Sequence, residues 1–473
     1  MHPSQRAARR QRVLERADNT DAYDFFNLLT GPQLLDQVEG LLPDHRERLF
    51  PPTETLAMFL AQALSADGSC RQAVNAAAVK RLIAGLTPHS SSTSAYCQAR
   101  SRLPLSMIER LTRHTGELVA EGAAAWWLWR NRRVRLVDGA TMTLADTPEN
   151  QAKYPQPNSQ KTGLGFPICR MVALLCLATG ALLDASTGPC AGKGSDEQTL
   201  LRGLLDTLQR GEILVADAYY ATYFLLCELV RRGVDGVFEQ YGARKRSTDF
   251  RARECLGVRD HRIVLTRPKR PEWMDQDNYE QAPATLTVRE FQAGGKIMVT
   301  TFLYPKETPK ALLKTLYRSR WNIELDLRNI KTTLGMERLR CKTPEMAAKE
   351  LWVYLLGYNL IRLLMAQAAL LADQIPRQLS FKHTVQVWAS WQQRGGGTHE
   401  AVCILALLVL IAAPRVGLRP GRIEPRALKR RQKNYPLLTK PRTFAQEEVR
   451  ANGHPRKQRR GHRLGHPTTA VTL

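Results

Sequence analysis

The chain has 473 residues, of which 43% are apolar and 7% aromatic, so it can form the cores of two or three domains and is not a disordered chain. Its formal net charge of +25 favours a polyanionic partner, with nucleic acid ahead of an anionic membrane surface. Nine scattered cysteines include no C-x2-C pair, which argues against a zinc ribbon or a disulfide framework and favours reduced thiols in a cytoplasmic protein.

Residues 1–130 are predicted to form a helical, DNA-binding domain. Candidate helices follow Asp21, Pro52 and Ser69, and another begins near Ser94. The two helices that flank the Thr87-Pro88 turn fit a helix-turn-helix. They fit a plain helical bundle packed on the next domain equally well.

Residues 131–240 change to strands alternating with helices, which predicts the first part of an α/β core. The apolar runs at 133–137, 166–186, 212–217 and 233–240 indicate five strands, and 195–210 indicates a helix capped by Ser195. Asp138 and Asp217 are each expected at the end of an apolar strand. Such ends open onto the crevice of an α/β sheet, where chemistry is common.

The second half of the chain is predicted to have three parts. Residues 241–305 alternate charge with β-branched residues and indicate a basic, β-rich insertion, and 306–414 return to the core. The apolar stretch 351–372 contains Asn359 and Arg362, which favours a core helix over a membrane span. Residues 415–473 carry 16 Lys or Arg against three Asp or Glu, and KQRRGHR at 457–463 predicts a flexible, DNA-attracting tail. The alternative is a tail that only solubilises the protein.

One spacing stands out in residues 306–414, Y-x2-R-x3-E-x6-K at Tyr317, Arg320, Glu324 and Lys331. At about 100° per residue these four side chains fall on one stripe of a helix, roughly 60° wide. A carboxylate between two cations and a phenol suits a group that holds a metal beside a DNA phosphate. An ordinary solvated helix face with an i, i+4 ion pair is the alternative.

The acidic residues of the core suggest metal chemistry. Three carboxylates brought together by Asp138, Asp217 and Glu324 would repel one another unless a cation neutralised them. Oxygen ligands suit Mg²⁺ or Mn²⁺, and a pair of ions can stabilise both oxygens of an in-line phosphoryl displacement. Each aspartate could instead be a simple turn residue. Four other carboxylates compete without matching this placement: Asp146, Asp184, Asp235 and Asp326.

The chain resembles the DDE transposases of the bacterial insertion sequence 4 family. The likeness covers roughly residues 90–433 and rests on the Y-R-E-K spacing, on LVDGATMTL around Asp138 and on ILVADAYYATY around Asp217. Ala218 stands where family members often have Arg or Gly. The resemblance implies a ribonuclease-H-like mixed-sheet core interrupted by an insertion, with Asp138, Asp217 and Glu324 as the catalytic and metal-binding residues.

The same resemblance implies a reaction and partners. It implies two Mg²⁺ or Mn²⁺ ions, cleavage of double-stranded DNA at the ends of an element, hairpin formation and transfer to target DNA by a homodimer. Tyr317, Arg320 and Lys331 would bind the phosphate. A flipped base needs an aromatic shelf, for which Trp321 and Trp273 are candidates, although each could be a packing residue. A catalytically silent DNA-binding relative and a nuclease that cuts without joining remain alternatives.

Overall fold

The computed structural model describes residues 50–416 and 438–453, apart from short stretches at 51, 66, 84, 86, 89–90, 193, 241, 243–247, 252–253 and 394–400. The helix predicted after Asp21 and the basic run at 457–463 lie outside the described residues.

A single mixed sheet of nine strands forms the centre of the described structure, in the order β3-β2-β1-β4-β5-β9-β8-β7-β6. The strands are β1 (Val134–Thr143), β2 (Ile168–Cys176), β3 (Leu182–Pro189), β4 (Ile213–Ala216), β5 (Asp235–Glu239), β6 (Glu254–Gly257), β7 (Asp260–Thr266), β8 (Thr285–Ala293) and β9 (Lys296–Thr300).

The first five strands carry the predicted core. β1, β4 and β5 run parallel to one another, and β2 and β3 pair antiparallel on the other side of β1. β4 reads ILVA and is buried along its whole length, as expected for a parallel strand covered on both faces. The five strands predicted between residues 131 and 240 are therefore confirmed as elements.

Strands β6 to β9 occupy the region predicted as a β-rich insertion. They do not form a separate sheet, because β9 pairs antiparallel with β5 and extends the central sheet to nine strands. Residues Asp260, Arg289 and Thr308 fix this extension to the chain that follows it. The buried Arg289 donates to both carboxylate oxygens of Asp260, at 2.8 and 2.6 Å, and to the Thr308 carbonyl at 2.7 Å.

Helices precede, cover and follow the sheet. They are α1 (Pro52–Leu64), α2 (Cys70–Ile83), α3 (Thr93–Arg102), α4 (Leu105–Glu121), α5 (Pro148–Lys153), α6 (Glu197–Arg202), α7 (Tyr223–Arg232), α8 (Gln276–Gln281), α9 (Lys310–Arg318), α10 (Trp321–Arg328), α11 (Pro344–Leu371), α12 (Phe381–Gln393), α13 (Ala401–Ala412) and α14 (Arg442–Asn452).

Helix α11 is the main core helix and packs against α1, α4 and α13. Its length and composition would suffice to cross a membrane, but most of its residues are buried inside the protein. The polar residue Asn359 has partners within the fold. Its amide donates to the carbonyls of Thr112 on α4 and Leu182 on β3, and its oxygen accepts from the Leu182 N–H at 2.9 Å. This agrees with the predicted core helix.

Two local predictions were wrong. β1 does not end at Asp138 but continues to Thr143, because Asp138 and Gly139 pair with Ala173 and Val172 of β2 in an unbroken ladder. The helix predicted over 195–210 spans only Glu197–Arg202 and is capped by Asp196, whose carboxylate accepts the Thr199 N–H at 3.1 Å.

Candidate active site

Neighbouring parallel strands bring Asp138 and Asp217 to the same part of the sheet. Leu136 of β1 pairs with Val215 of β4, and each aspartate lies two residues further along its strand. Asp217 follows the end of β4 and accepts the Tyr219 N–H at 2.9 Å. Asp138 lies inside β1 and accepts the Gly139 N–H at 2.8 Å. The two carboxylates thus start from adjacent, rigid backbone positions.

Arg320 connects this pair to the third predicted acid. One guanidinium nitrogen lies 2.5 Å from a Glu324 carboxylate oxygen, and another lies 3.4 Å from an Asp138 oxygen. The Arg320–Glu324 contact is the expected i, i+4 pair. It is not an ordinary surface pair, because the same cation reaches a strand residue and is itself mostly buried.

The Y-R-E-K residues do not lie on one uninterrupted helix, so that part of the prediction was wrong. Tyr317 belongs to α9, which ends at Arg318, and α10 begins only after Arg320. At this junction the Ser319 hydroxyl donates to the Leu316 carbonyl, and the Asn322 amide donates to the Ser319 carbonyl at 2.7 Å. Side chains that bond the backbone in this way disturb a regular helix.

A second irregularity places Lys331. Residues Asn329–Thr333 form a π-helical turn, closed by a hydrogen bond of 3.0 Å from the Leu334 N–H to the Asn329 carbonyl. Single π turns inside helices are frequent at functional sites. The turn changes the direction in which Lys331 leaves the helix axis, relative to the direction predicted from regular periodicity.

The pKa of Asp138 depends on the charges of the other acidic groups in the site. Burial raises the pKa of Asp138 to about 6, the Gly139 N–H and Arg320 oppose this rise, and the nearby charges of Asp217 and Glu197 add to it. Burial likewise raises the pKa of Tyr317 to about 12, opposed by Arg320. Burial alone would lower the pKa of Arg320, but its hydrogen bond to Glu324 raises that pKa above its usual value.

The site includes one acidic residue that the sequence reasoning missed. The Tyr220 hydroxyl donates to a carboxylate oxygen of Glu197 at 3.0 Å, and this carboxylate packs against the backbone of Gly139. Two signals could have indicated it. Glu197 is the first residue of the helix that follows β3. The glycine after Asp138 can indicate a close contact inside a strand instead of a turn.

The competing carboxylates have structural partners. Asp184 lies 2.7 Å from Arg113, and Asp235 lies 2.7 Å from Arg132. The carboxylate of Asp326 is buried between two arginines of the core. Asp146 accepts from the Gln151 amide at 2.9 Å. Their placement favours fold stability over chemistry.

The two candidate stacking tryptophans differ in their surroundings. Trp321 is 55% exposed, at the first position of α10 and next to Arg320. Trp273 is 48% exposed, but the Arg202 guanidinium lies 3.8 Å from its ring centroid and the Phe224 ring meets it edge-on at 6.0 Å. Trp321 is therefore an exposed side chain next to Arg320 in the sequence, whereas Trp273 packs on α6 and α7.

The described part of the chain contains no group of three or more His, Cys, Asp or Glu side chains close enough to form a ready-made metal site. The donor set nevertheless fits a hard cation. Asp138, Asp217, Glu197 and Glu324 offer only oxygen ligands, and Mg²⁺ and Mn²⁺ prefer carboxylates and water. The Arg320 guanidinium provides the positive charge between Asp138 and Glu324 in the structure.

The chain is similar to known proteins over most of its length. Residues 129–360 match the family described as Transposase DDE domain. The chain is 28% identical over 408 residues to the transposase InsG for insertion sequence element IS4 of Escherichia coli K12, an alignment covering 84% of this chain and 89% of InsG. It is 31% identical over 143 residues to InsZ of the same strain, named as a candidate transposase, covering 30% of this chain and 46% of InsZ.

The matched region contains Asp138, Asp217 and Glu324, and the mixed sheet is consistent with the ribonuclease-H-like core of such enzymes. The fold and these matches define the class, a transposase with a DDE domain. Over 84% of its length the chain is also similar to a transposase of an insertion sequence, that of element IS4.

Proposed function

We propose that this transposase binds the ends of an insertion element, cleaves the DNA strands with Asp138, Asp217 and Glu324 and joins the freed ends to target DNA. The observation that carries the proposal is the Arg320 bridge between Asp138 and Glu324, beside the β1–β4 register that brings Asp217 next to Asp138. The bridge and the strand register together connect three acids that are far apart in the sequence.

The three carboxylates would hold one or two Mg²⁺ or Mn²⁺ ions. Such ions stabilise the charge on the attacking and leaving oxygens of a phosphodiester exchange. The chain itself supplies rigid acid positions on a strand, a strand end and a helix. It also supplies a cation, the Arg320 guanidinium, which would be available to a DNA phosphate if a metal neutralised the acids. Its planar fork suits a phosphate.

The neighbouring residues would position the DNA. Tyr317 and Lys331 would bind the phosphate of the cut strand together with Arg320. A hairpin on the flanking DNA would need a stacked, flipped base, and the exposure of Trp321 beside Arg320 favours it over Trp273 for that role. We further propose that two copies act together in the cytoplasm, since both ends of an element must be joined.

Asp217→Asn tests the assignment of the acids. We expect cleavage of element-end DNA to fall below detection and Mn²⁺ binding to weaken, while the affinity for the DNA ends changes little, because the substitution removes a metal ligand and no phosphate contact. Asp206→Asn is the matched control, since this carboxylate is 93% exposed on the surface. Wild-type cleavage by the Asp217→Asn protein would refute the proposal.

A second measurement separates cutting from joining. Pre-cleaved element ends are incubated with the wild-type protein, Mg²⁺ and a target plasmid, and joined products are counted. Cleavage of intact ends without any joined product would identify a nuclease of the same fold instead of a transposing enzyme.

A further inference from the structure

We propose that Glu197 is a fourth acidic residue of the metal centre. It fits against β1 because Gly139 has no side chain, and the hydroxyl of Tyr220 orients it. This inference rests on the proposed function, because it adds a ligand to the same centre.

Gly139 gives Glu197 access to the site. A Cβ atom built at position 139 would lie 2.2 Å from the carboxyl carbon and from one carboxyl oxygen of Glu197. Successive residues of a strand point to opposite faces of the sheet. Glu197 therefore fills the space that a side chain at position 139 would occupy, next to Asp138 in the strand, and its charge adds to the raised pKa of Asp138. Gly139 has no turn to form there, since it lies within the β1–β2 ladder.

The Asp138 and Glu197 carboxylates flank the same short piece of backbone. Asp138 accepts the Gly139 N–H at 2.8 Å, and Glu197 packs against Gly139 itself. Two acids in this arrangement repel each other, and a divalent cation would relieve that repulsion. An uncharged residue at position 197 would have been the simpler solution if only packing mattered.

Tyr220 fixes the orientation of the Glu197 carboxylate. The tyrosine is fully buried, and its hydroxyl donates to Glu197 at 3.0 Å. It follows Asp217 by three residues, in the 3-10 turn Ala218–Tyr220. A second link joins the same segments, because the Gln198 amide donates to the Tyr219 carbonyl at 2.6 Å. The segment that carries Asp217 thus also positions Glu197, as outer partners of metal ligands commonly do.

Glu197→Gln is the first test variant, because it keeps the size of the side chain and an acceptor for Tyr220. Mn²⁺ binding to the full-length protein without DNA is measured by titration calorimetry. We expect binding roughly ten-fold weaker or more, the loss typical of residues around a metal centre. Glu149→Gln, at an exposed position in α5, carries the same change of charge and should bind Mn²⁺ as the wild type does.

Gly139→Ala provides an independent test that leaves Glu197 in the sequence. The three atoms nearest to the added methyl group all belong to the flexible end of that side chain. The protein should therefore fold with the carboxylate displaced, as circular dichroism and thermal unfolding can check. We expect Mn²⁺ binding to weaken as in Glu197→Gln. In a Glu197→Ala background the same glycine substitution should have little further effect, because the two changes act through one carboxylate.

Strand cleavage provides the functional readout. In Glu197→Gln the Mn²⁺ concentration for half-maximal cleavage should rise, while the affinity for element-end DNA stays unchanged. Equal Mn²⁺ affinities for Glu197→Gln and Glu149→Gln, with weaker binding in Asp217→Asn, would overturn the role of Glu197 and leave the proposed function intact. Unaltered Mn²⁺ binding and cleavage in Asp217→Asn would overturn both.

Discussion

At the scale of single residues, Arg320 provides positive charge to the site. Its guanidinium contacts carboxylates from a strand and from a helix, which would otherwise repel each other. A divalent ion between Asp138 and Glu324 would compete with this guanidinium for the same oxygens. In the structure the arginine is a counter-ion, and in the proposed reaction it would be a phosphate ligand.

Arg320→Gln should separate these two roles. Without the competing guanidinium we expect Mn²⁺ binding in the absence of DNA to tighten by about ten-fold. Cleavage of element ends should nevertheless fall by roughly 10²-fold or more, because a preorganised cation at the phosphate is lost. Calorimetry and a cleavage assay measure the two effects. Arg231→Gln is the control, an exposed arginine paired with Glu228. Weaker Mn²⁺ binding in Arg320→Gln would contradict the competition.

The sequence could predict those site residues that follow a strand or share a recognisable spacing. Asp217 follows an apolar strand, and the Arg320–Glu324 pair follows helical spacing. Glu197 could not be found in this way, because its position depends on a glycine inside a strand and on a tyrosine from another segment. Glu197 lies 58 positions after Gly139 and 23 before Tyr220 in the sequence, and the register of β1 with its neighbours brings the three together.

At the scale of elements, helix α10 must hold Glu324 against the sheet. Its anchor is Asp326, which faces the core and pairs with Arg362 of α11 and, at 2.6 Å, with Arg377. Glu324 and Asp326 are two residues apart and point to different sides of the helix. Asp326 therefore fixes the helix that carries Glu324, the proposed metal ligand.

Asp326→Asn should destabilise the protein without removing a metal ligand. It leaves two buried arginines without their shared counter-ion, so we expect the free energy of unfolding to fall by about 3–5 kcal/mol. Guanidinium denaturation measures the loss, and Mn²⁺ affinity per folded molecule should stay unchanged. Asp206→Asn, on the surface, should change the free energy of unfolding by less than about 1 kcal/mol. A large loss of Mn²⁺ affinity in folded Asp326→Asn would contradict the assignment of Asp326 to helix stability and of Glu324 to metal binding.

The elements themselves were mostly predictable, and their junctions were not. Apolar runs identified the strands of the core because parallel strands are buried on both faces. The sequence from α9 to the π-helical turn has the periodicity of one helix, although the structure is interrupted at Ser319. Hydrogen bonds from the Ser319 and Asn322 side chains to the backbone cause this interruption, and they do not change the sequence periodicity. The attachment of β9 to β5 is a long-range pairing, which local patterns do not encode.

At the scale of the whole molecule, net charge favours association with DNA independently of the active site. The formal charge of +25 would create a positive field over the surface, and residues 415–473 contribute about half of it. Helix α14, a described part of residues 415–473, was not predicted from the sequence. Its first turn follows Pro441, which lies close to Gly163. Part of the segment therefore lies beside the stretch that connects α5 to β2.

Removal of residues 454–473 tests the electrostatic contribution of the tail. The deletion removes five Lys or Arg and no acidic residue, and it leaves α14 in place. If all five contact phosphates, the slope of log K against log salt should become shallower by about 4 to 5, and binding should weaken alike for element-end and unrelated DNA. A full-length chain with these five residues changed to Gln should behave as the deletion does, because charge and not length is responsible. An unchanged slope in both proteins would show that the tail makes no phosphate contacts.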